Sequence, residues 1–491
     1  MASARYYLTI DLGAESGRVM LGGLEGGRLA LTEIHRFANG PVRQPDGLHW
    51  NTQHLWSEIK QGIRIAVQQI GTELTSIGLD AWGVDFALLD AQGRLLGDPF
   101  HYRDSRTNGI LEKAFSRVPR QEIYGQTGIQ FMQINSLYQL LTMLGKPELE
   151  TAHSLLFMPD LFNYWLSGTK ANEYTIASTS QCLDAEKRTW SFDLLDRMGI
   201  PGRIFGEIVP AGTILGTLCR EVAEETGCAS IPVIAVGSHD TASAVAAVPA
   251  STQDFIYISS GTWSLMGMEV PRPVMTPASL AYNVTNEGGV YGTIRLLKNI
   301  MGMWLLQQSR SEWAEEGRPY SYDQLTAIAA NTPAFGPFVQ PNDNLFLEPG
   351  GMVRRIRQFC ADHGQPIPQG EAEITRCILE SLALEYRRVA GQLEGVTGRG
   401  AGVIHIVGGG SRNWLLNQFT ADCTGKTVVA GPVEATAAGN VLVQAIAQGH
   451  ISGLPEGREI IRGSFTPQVY EPGDASEWDA AYARFSSKEA A

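Results

Sequence analysis

The segment Ser238-His239-Asp240-Thr241-Ala242-Ser243-Ala244 sets an imidazole beside a carboxylate, where the apolar run 231–237 gives way to small residues. That pattern is a strand end feeding a helix. Two readings of Asp240 stand. A carboxylate there can cap a helix N-terminus. It can also accept the proton of a hydroxyl that attacks a phosphorus atom. His239 is either a hydrogen-bonding group for a hydroxylated ligand or a core residue. No G-x-S-x-G elbow accompanies the pair, so a Ser-His-Asp hydrolase triad has no support.

Phosphate chemistry has three candidate turns. Asp11-Leu12-Gly13-Ala14-Glu15-Ser16-Gly17-Arg18 follows the apolar run 6–12. Its glycines let backbone N–H groups approach phosphate oxygens. Asp11, at the strand end, is a candidate magnesium ligand acting through water, and Arg18 adds positive charge. The alternative is a plain hairpin with a capping Asp. Ser259-Ser260-Gly261-Thr262 is a similar turn in which Thr262 can donate to phosphate; a generic polar turn is the alternative. Gly408-Gly409-Gly410 follows the strand-like run 403–407, where a flat ligand such as adenosine can lie against backbone or a flexible loop can form. Neither G-x-x-x-x-G-K-[ST] nor a G-x-G-x-x-G after a strand occurs, which excludes a P-loop and argues against a Rossmann dinucleotide site. Asp80-Ala81-Trp82-Gly83-Val84-Asp85-Phe86 and Tyr102-Arg103-Asp104-Ser105-Arg106 join aromatic faces to carboxylates, a surface suited to a polyol. A core tryptophan and a solvated charged turn are the bland alternative.

These residues need elements to hold them. The pattern predicts strands over 6–12, from 18 onward and over 29–37. It predicts a helix over 54–71, with Leu55, Ile59, Ile63 and Val67 about one turn apart. Buried strands follow over 76–82, 231–237 and 403–407, the segment 255–264 resembles the N-terminal strand and turn, and an alanine-rich helix starts in 434–440. Strands alternating with helices give an α/β class. Ile10-Asp11-Leu12-Gly13-Ala14-Glu15-Ser16 and Ile258-Ser259-Ser260-Gly261-Thr262-Trp263-Ser264 share Ile, Gly and Ser at the same places, half a chain apart. This faint repeat predicts two similar lobes, 1–248 and 249–491, with the boundary near 248–252.

The chain has 491 residues, 44% hydrophobic and 18% charged, and a net charge of -13. At roughly 100–200 residues per domain it holds at least two. The acidity argues against a broad nucleic-acid or anionic-membrane surface. Asp11 interrupts the first apolar run too early for a signal peptide, and no run of about 18 apolar residues exists to span a membrane. The six cysteines form no C-x-x-C and no zinc spacing, so reduced thiols in the cytoplasm are expected.

With these residues in view, the chain resembles the FGGY family of carbohydrate kinases. The likeness runs through nearly the whole sequence. It is most specific at 11–18, 82–86, 102–109, 238–245, 259–267, 286–289, 297–302 and 407–413. It implies two actin-like (ribonuclease-H-like) α/β lobes with a ligand cleft between them: 1–248, binding sugar and carrying the phosphate loop, and 249–491, binding nucleotide. It implies transfer of the γ-phosphoryl of ATP, with Mg2+, to the 1-hydroxyl of a small ketose. The strings 259–267 and 297–302 are those of the family members acting on L-rhamnulose. By position, the resemblance puts Ala14, Glu15, Ser16, Gly17, Arg18, Thr262, Gln307 and Gly409 at the nucleotide. It puts Gly83, His239, Asp240, Thr241 and Asn299 at the sugar, with Asp240 the proton acceptor. Glu15 departs from the small residue that other members carry, so its backbone N–H rather than its side chain would serve. Some members pair cysteines where Cys360 and Cys377 stand; the reduced form is favoured here. L-fuculose, L-xylulose or another ketose, and a non-catalytic actin-like nucleotide module, remain alternatives. The sugar patch with Asp240 is what such a module would not need.

Overall fold

A computed structural model describes residues 4–487; the first three residues of the N-terminal segment and the last four residues lie outside it. The apolar run beginning at Tyr7 forms the strand Arg5–Leu12, buried on both faces from Tyr7 onward. Such two-sided burial belongs to a central strand covered by helices. It lies antiparallel to Ser16–Glu25 and parallel to Leu74–Ala81. The sheet order is Thr213–Thr217, Pro232–Ala235, Leu74–Ala81, Arg5–Leu12, Ser16–Glu25, Arg28–Ala38. The helix Thr52–Ile70 opens on the side chain of Asn51, which accepts from the His54 N–H at 3.0 Å, and buries Leu55, Ile59, Ile63 and Ala66. Ala66 takes the place predicted for Val67, which is half-buried.

The chain divides into two units that are not contiguous in sequence. The first holds residues 1–249, 269–296 and 434–464; the second holds 250–268, 297–433 and 465–491. In the second unit, Phe255–Ser260 lies antiparallel to Ser264–Val270 and parallel to Val403–Val407. Thr427–Ala430 continues the sheet in parallel and Gln468–Tyr470 closes it in antiparallel. Each unit therefore carries the same device, a strand-turn-strand whose first strand has a parallel neighbour on its other side. This is the structural content of the faint repeat.

The helix Ala435–Ala447 lies across the first sheet, and polar bonds fix it there. Gln444 donates through Nε2 to the Leu8 carbonyl at 3.0 Å, and the Ser76 hydroxyl donates to Gln444 Oε1 at 2.6 Å. Gly439 lets the helix touch its neighbour Asp240–Ala246: a β-carbon built on Gly439 would sit 1.7 Å from the Ser243 carbonyl oxygen. Cys360 and Cys377 are both buried and lie against each other. Among the described residues no helix is long and apolar enough to cross a membrane.

Candidate active site

Asp240 is the first residue of the helix Asp240–Ala246, and that helix has no side-chain cap bond. The N-cap position belongs to His239, and the Asp240 carboxylate takes its bonds from the Thr241 backbone and hydroxyl. The Thr241 hydroxyl donates to Asp240 Oδ1 at 3.1 Å, and His239 Nε2 stands 3.5 Å from the same oxygen. The Asp240 side chain keeps 32% exposure, against 8% for His239. Partial burial, and after it the negative charge of Asp11, raise the Asp240 carboxyl above the usual range; His239 opposes the shift.

Three buried contacts fix this segment. The Ala81 N–H donates to the Ser238 carbonyl at 2.9 Å. The Ser238 N–H donates to Glu173 Oε2 at 3.1 Å, and the His239 N–H donates to the Thr175 hydroxyl at 3.2 Å. Glu173 is fully buried, and burial lifts its carboxyl from 4.5 to about 7 against the hydrogen bonds it accepts. A carboxyl raised in the folded state stabilises fully below its unfolded value of 4.5, and that contribution is lost as pH rises through 7. The span is worth on the order of 3 kcal/mol. Glu173→Gln keeps an acceptor for the same N–H groups without the ionisation. Its calorimetric midpoint is expected to gain on the wild type from pH 5 to about pH 7 and to level off above that. A difference that stays constant over that range would contradict the assignment.

Gly83 lies over His239: a β-carbon built there would be 3.4 Å from His239 Nε2 and 3.3 Å from the Thr179 hydroxyl. The next residue, Val84, has φ 68°, and its N–H donates to the Thr179 hydroxyl at 3.1 Å. A β-branched residue in the left-handed region costs on the order of 1–3 kcal/mol and persists where its surroundings hold it. Asp85 does not offer its carboxylate to a ligand as the polyol reading of this stretch supposed. It is fully buried and accepts from the Trp50 indole at 2.6 Å, the Trp82 indole at 3.0 Å and the Gln139 amide at 2.8 Å. Asp104 likewise accepts from the Arg106 N–H at 2.9 Å, shaping a short turn.

The first turn is built around Gly13, whose N–H donates to the Ser16 carbonyl at 3.1 Å; a β-carbon there would meet that oxygen at 2.9 Å. The Asn39 amide donates to the Gly13 carbonyl at 2.7 Å and its backbone N–H to the Glu15 carbonyl at 3.0 Å. Ala14 and Ser16 are half-buried, Gly17 is buried, and the Glu15 side chain is exposed. Arg18 pairs with Asp11 Oδ2 through Nε at 2.9 Å and Nη2 at 2.8 Å, and with Glu434 through Nη1. Burial alone would lower the guanidinium, but Asp11 and Glu434 outweigh it and hold it above its ordinary value. Its charge is thus committed to Asp11.

Asp80 is opposite Asp11 in the parallel register. It is fully buried; Oδ2 accepts from the Asn440 amide at 2.6 Å, while Oδ1 has no hydrogen-bond partner. Burial, then the charges of Asp11 and Asp240, push its carboxyl well up. The negative charge of Asp11 therefore raises the cost of ionising both Asp80 and Asp240, and a divalent cation would relieve it. Among the described residues no three acidic, histidine or cysteine groups form a metal cage. A carboxylate acting with water and phosphate oxygens is the usual setting of Mg2+; Asp11, buried and paired with Arg18, is the candidate at this strand end.

The other candidates lie in the second unit. The Thr262 carbonyl accepts from the Trp304 N–H at 3.0 Å, which ties the second turn to the start of the helix Trp304–Glu315. Gln307 is on that helix, with its buried Oε1 making no hydrogen bond. Asn299 is half-buried near the end of Ile294–Ile300. Gly409 is exposed, and nothing lies within 4 Å of a β-carbon built on it, whereas Gly408 and Gly410 press on Ser260. The open member of the triplet is the one facing free space.

Arg295 escaped the sequence reading, and Glu287 was visible only within the family-like stretch 286–289. Arg295, fully buried, holds His239 Nδ1, and Glu287 lies against both.

Comparison with known proteins places this geometry in context. The chain matches the model of the N-terminal domain of the FGGY family of carbohydrate kinases over residues 6–247 and that of the C-terminal domain over 256–448. A rhamnulokinase of Bacteroides thetaiotaomicron is 46% identical over 483 residues, covering 98% of this chain and 99% of the relative. A rhamnulokinase of Pectobacterium carotovorum is 42% identical, covering 98% and 96%. Among solved structures, the ligand-bound xylulose kinase of Lactobacillus acidophilus superposes with a TM-score of 0.81 at 16% identity, over 98% of this chain and 97% of that one. Plasmodium falciparum glycerol kinase with ADP gives 0.78 at 15%, over 100% and 98%. The two structures establish the fold, the α/β architecture expected from the strand and helix pattern.

Proposed function

The chain belongs to the FGGY family of carbohydrate kinases, and from that premise we propose that it transfers the γ-phosphoryl of ATP to the 1-hydroxyl of L-rhamnulose, giving L-rhamnulose 1-phosphate and ADP. The observation that carries the chemistry is Asp240: a partly exposed carboxylate that leads its helix, fixed by Thr241 and beside His239. Full-length likeness to rhamnulokinases supports the choice of sugar.

In the reaction the sugar oxygen forms a bond to the γ-phosphorus as the bond to the bridging β,γ-oxygen breaks. Asp240 accepts the hydroxyl proton. Gly83 leaves room above His239, and His239, Thr241 and Asn299 hold the sugar. The backbone of Ala14, Glu15, Ser16 and Gly17 receives phosphate oxygens, with Thr262 donating as well. Arg18 steadies Asp11. Gln307 and the open backbone of Gly409 meet the nucleoside. Asp11 would hold Mg2+ through water; the bound ion neutralises phosphate charge. We assign sugar binding and the phosphate loop to 1–248 and nucleotide binding to 249–491. The net charge of -13 favours small-molecule partners over nucleic acid. The use of ATP and a set of cysteines without C-x-x-C or zinc spacing fit the cytoplasm.

An ADP-release assay over a ketose panel tests the reading. L-rhamnulose is expected to give the highest kcat/KM; a higher value for L-fuculose or L-xylulose would reassign the substrate. Asp11→Asn is expected to raise the Mg2+ concentration for half-maximal rate and to lower kcat. Magnesium dependence indistinguishable from wild type would remove Asp11 from the ion.

A further inference from the structure

Arg295 has no exposed surface, and its environment dictates what its donors can do. Its Nε donates to the Gly288 carbonyl at 2.8 Å. Its Nη2 lies 2.9 Å from His239 Nδ1 and 3.1 Å from Glu287 Oε2. Glu287 Oε2 in turn stands 3.3 Å from His239 Nδ1. The two neighbours make opposite demands on that nitrogen. A carboxylate asks it for a proton; a guanidinium, which has donors only, asks it for a lone pair. Arg295 is the nearer.

We propose that Arg295 is a positioning residue that fixes His239 as the Nε2–H tautomer, so that the imidazole meets the sugar as a donor. The consequence lies on the far side of the ring. His239 Nε2 points at the space over Gly83 and at Asp240 Oδ1, 3.5 Å away. With its proton there, His239 donates to a sugar oxygen and cannot receive a proton at Nε2. Asp240 is left as the acceptor in that space. The opposite tautomer would turn a lone pair toward the Asp240 carboxylate, repelling it and losing the sugar contact. Without Arg295, Glu287 is placed to impose that tautomer by taking an Nδ1 proton. A buried ion pair far from the reacting atoms thereby decides which of two adjacent groups is donor and which is base. The step to sugar binding rests on the kinase reading above; the tautomer itself does not.

The test is nitrogen NMR of protein labelled with 15N-histidine, with His239→Gln used to assign the signals, in the absence of sugar and ATP. The wild type is expected to show His239 protonated at Nε2 and bare at Nδ1. Arg295→Met is expected to move the proton to Nδ1 and to raise KM for L-rhamnulose about 10- to 100-fold, with KM for ATP unchanged. Arg295→Lys, which restores a donor, is expected to return both the Nε2–H signal and most of the sugar affinity. A wild-type ring protonated at Nδ1, or at both nitrogens, would overturn the proposal. So would an Arg295→Met protein that keeps the Nε2–H tautomer. The wild-type spectrum decides even if Arg295→Met fails to fold. Because it is recorded without substrate, it can fail while turnover of L-rhamnulose stands, or hold if the substrate is a different sugar.

Discussion

Asp240→Asn is expected to lower kcat by about 100- to 10,000-fold, the range for loss of a general base, with little change in calorimetric affinity for sugar or ATP. The amide keeps the shape of the side chain and still accepts from Thr241, which lies 3.1 Å away. What it loses is the capacity to take a proton. The carboxyl of the native enzyme is raised by partial burial and then by Asp11, which makes it the stronger base. Protonation of Asp240 should therefore make kcat/KM fall toward acid pH, and the residual activity of Asp240→Asn should lack that limb. A variant with near-native kcat, or one that loses only sugar affinity, would return Asp240 to a binding or structural role.

Gly439→Ala is expected to destabilise the protein by about 3 kcal/mol or more and to cut activity as well. Overpacking a core by a methyl group typically costs about 1–3 kcal/mol when side chains can move aside. Here the new carbon would stand 1.7 Å from a backbone oxygen, that of Ser243, so no rotamer change relieves it. One of the helices Ala435–Ala447 and Asp240–Ala246 must shift, and the second carries Asp240 at its first position. Gly391→Ala is the control. Gly391 lies within the helix Glu371–Thr397 with open space around it, so an alanine should be neutral or add up to about 1 kcal/mol. Calorimetric midpoints and kcat of the two variants check both. Equal midpoints for Gly439→Ala and wild type would mean that the helices are not held in contact there.

What the sequence made legible was local. The run 6–12 and Gly13 predicted a strand and a tight turn because apolar character and glycine act on their immediate neighbours. The Leu55, Ile59, Ile63 stripe predicted its helix for the same reason. Asp240 was visible as a carboxylate where a strand gives way to a helix, but whether it capped that helix needed coordinates. What stayed hidden was non-local. Asp85 sits among aromatic residues in sequence and looked ready for a sugar, yet Trp50, from a separate strand, brings an indole to it at 2.6 Å and closes it off. Arg295 carries no motif of its own, and only folding sets its guanidinium 2.9 Å from His239 Nδ1. The helix Ala435–Ala447 reads as alanine-rich, but nothing in that composition says that Asn440 and Gln444 bond to Asp80 and Leu8.

The most direct test of the central claim is phosphorus NMR of the products formed from ATP, Mg2+ and L-rhamnulose. The account predicts one new phosphate ester, split by the two protons of a single CH2 at carbon 1, appearing in step with ADP and suppressed in Asp240→Asn. Release of inorganic phosphate alone, at a rate indifferent to the sugar, would contradict it.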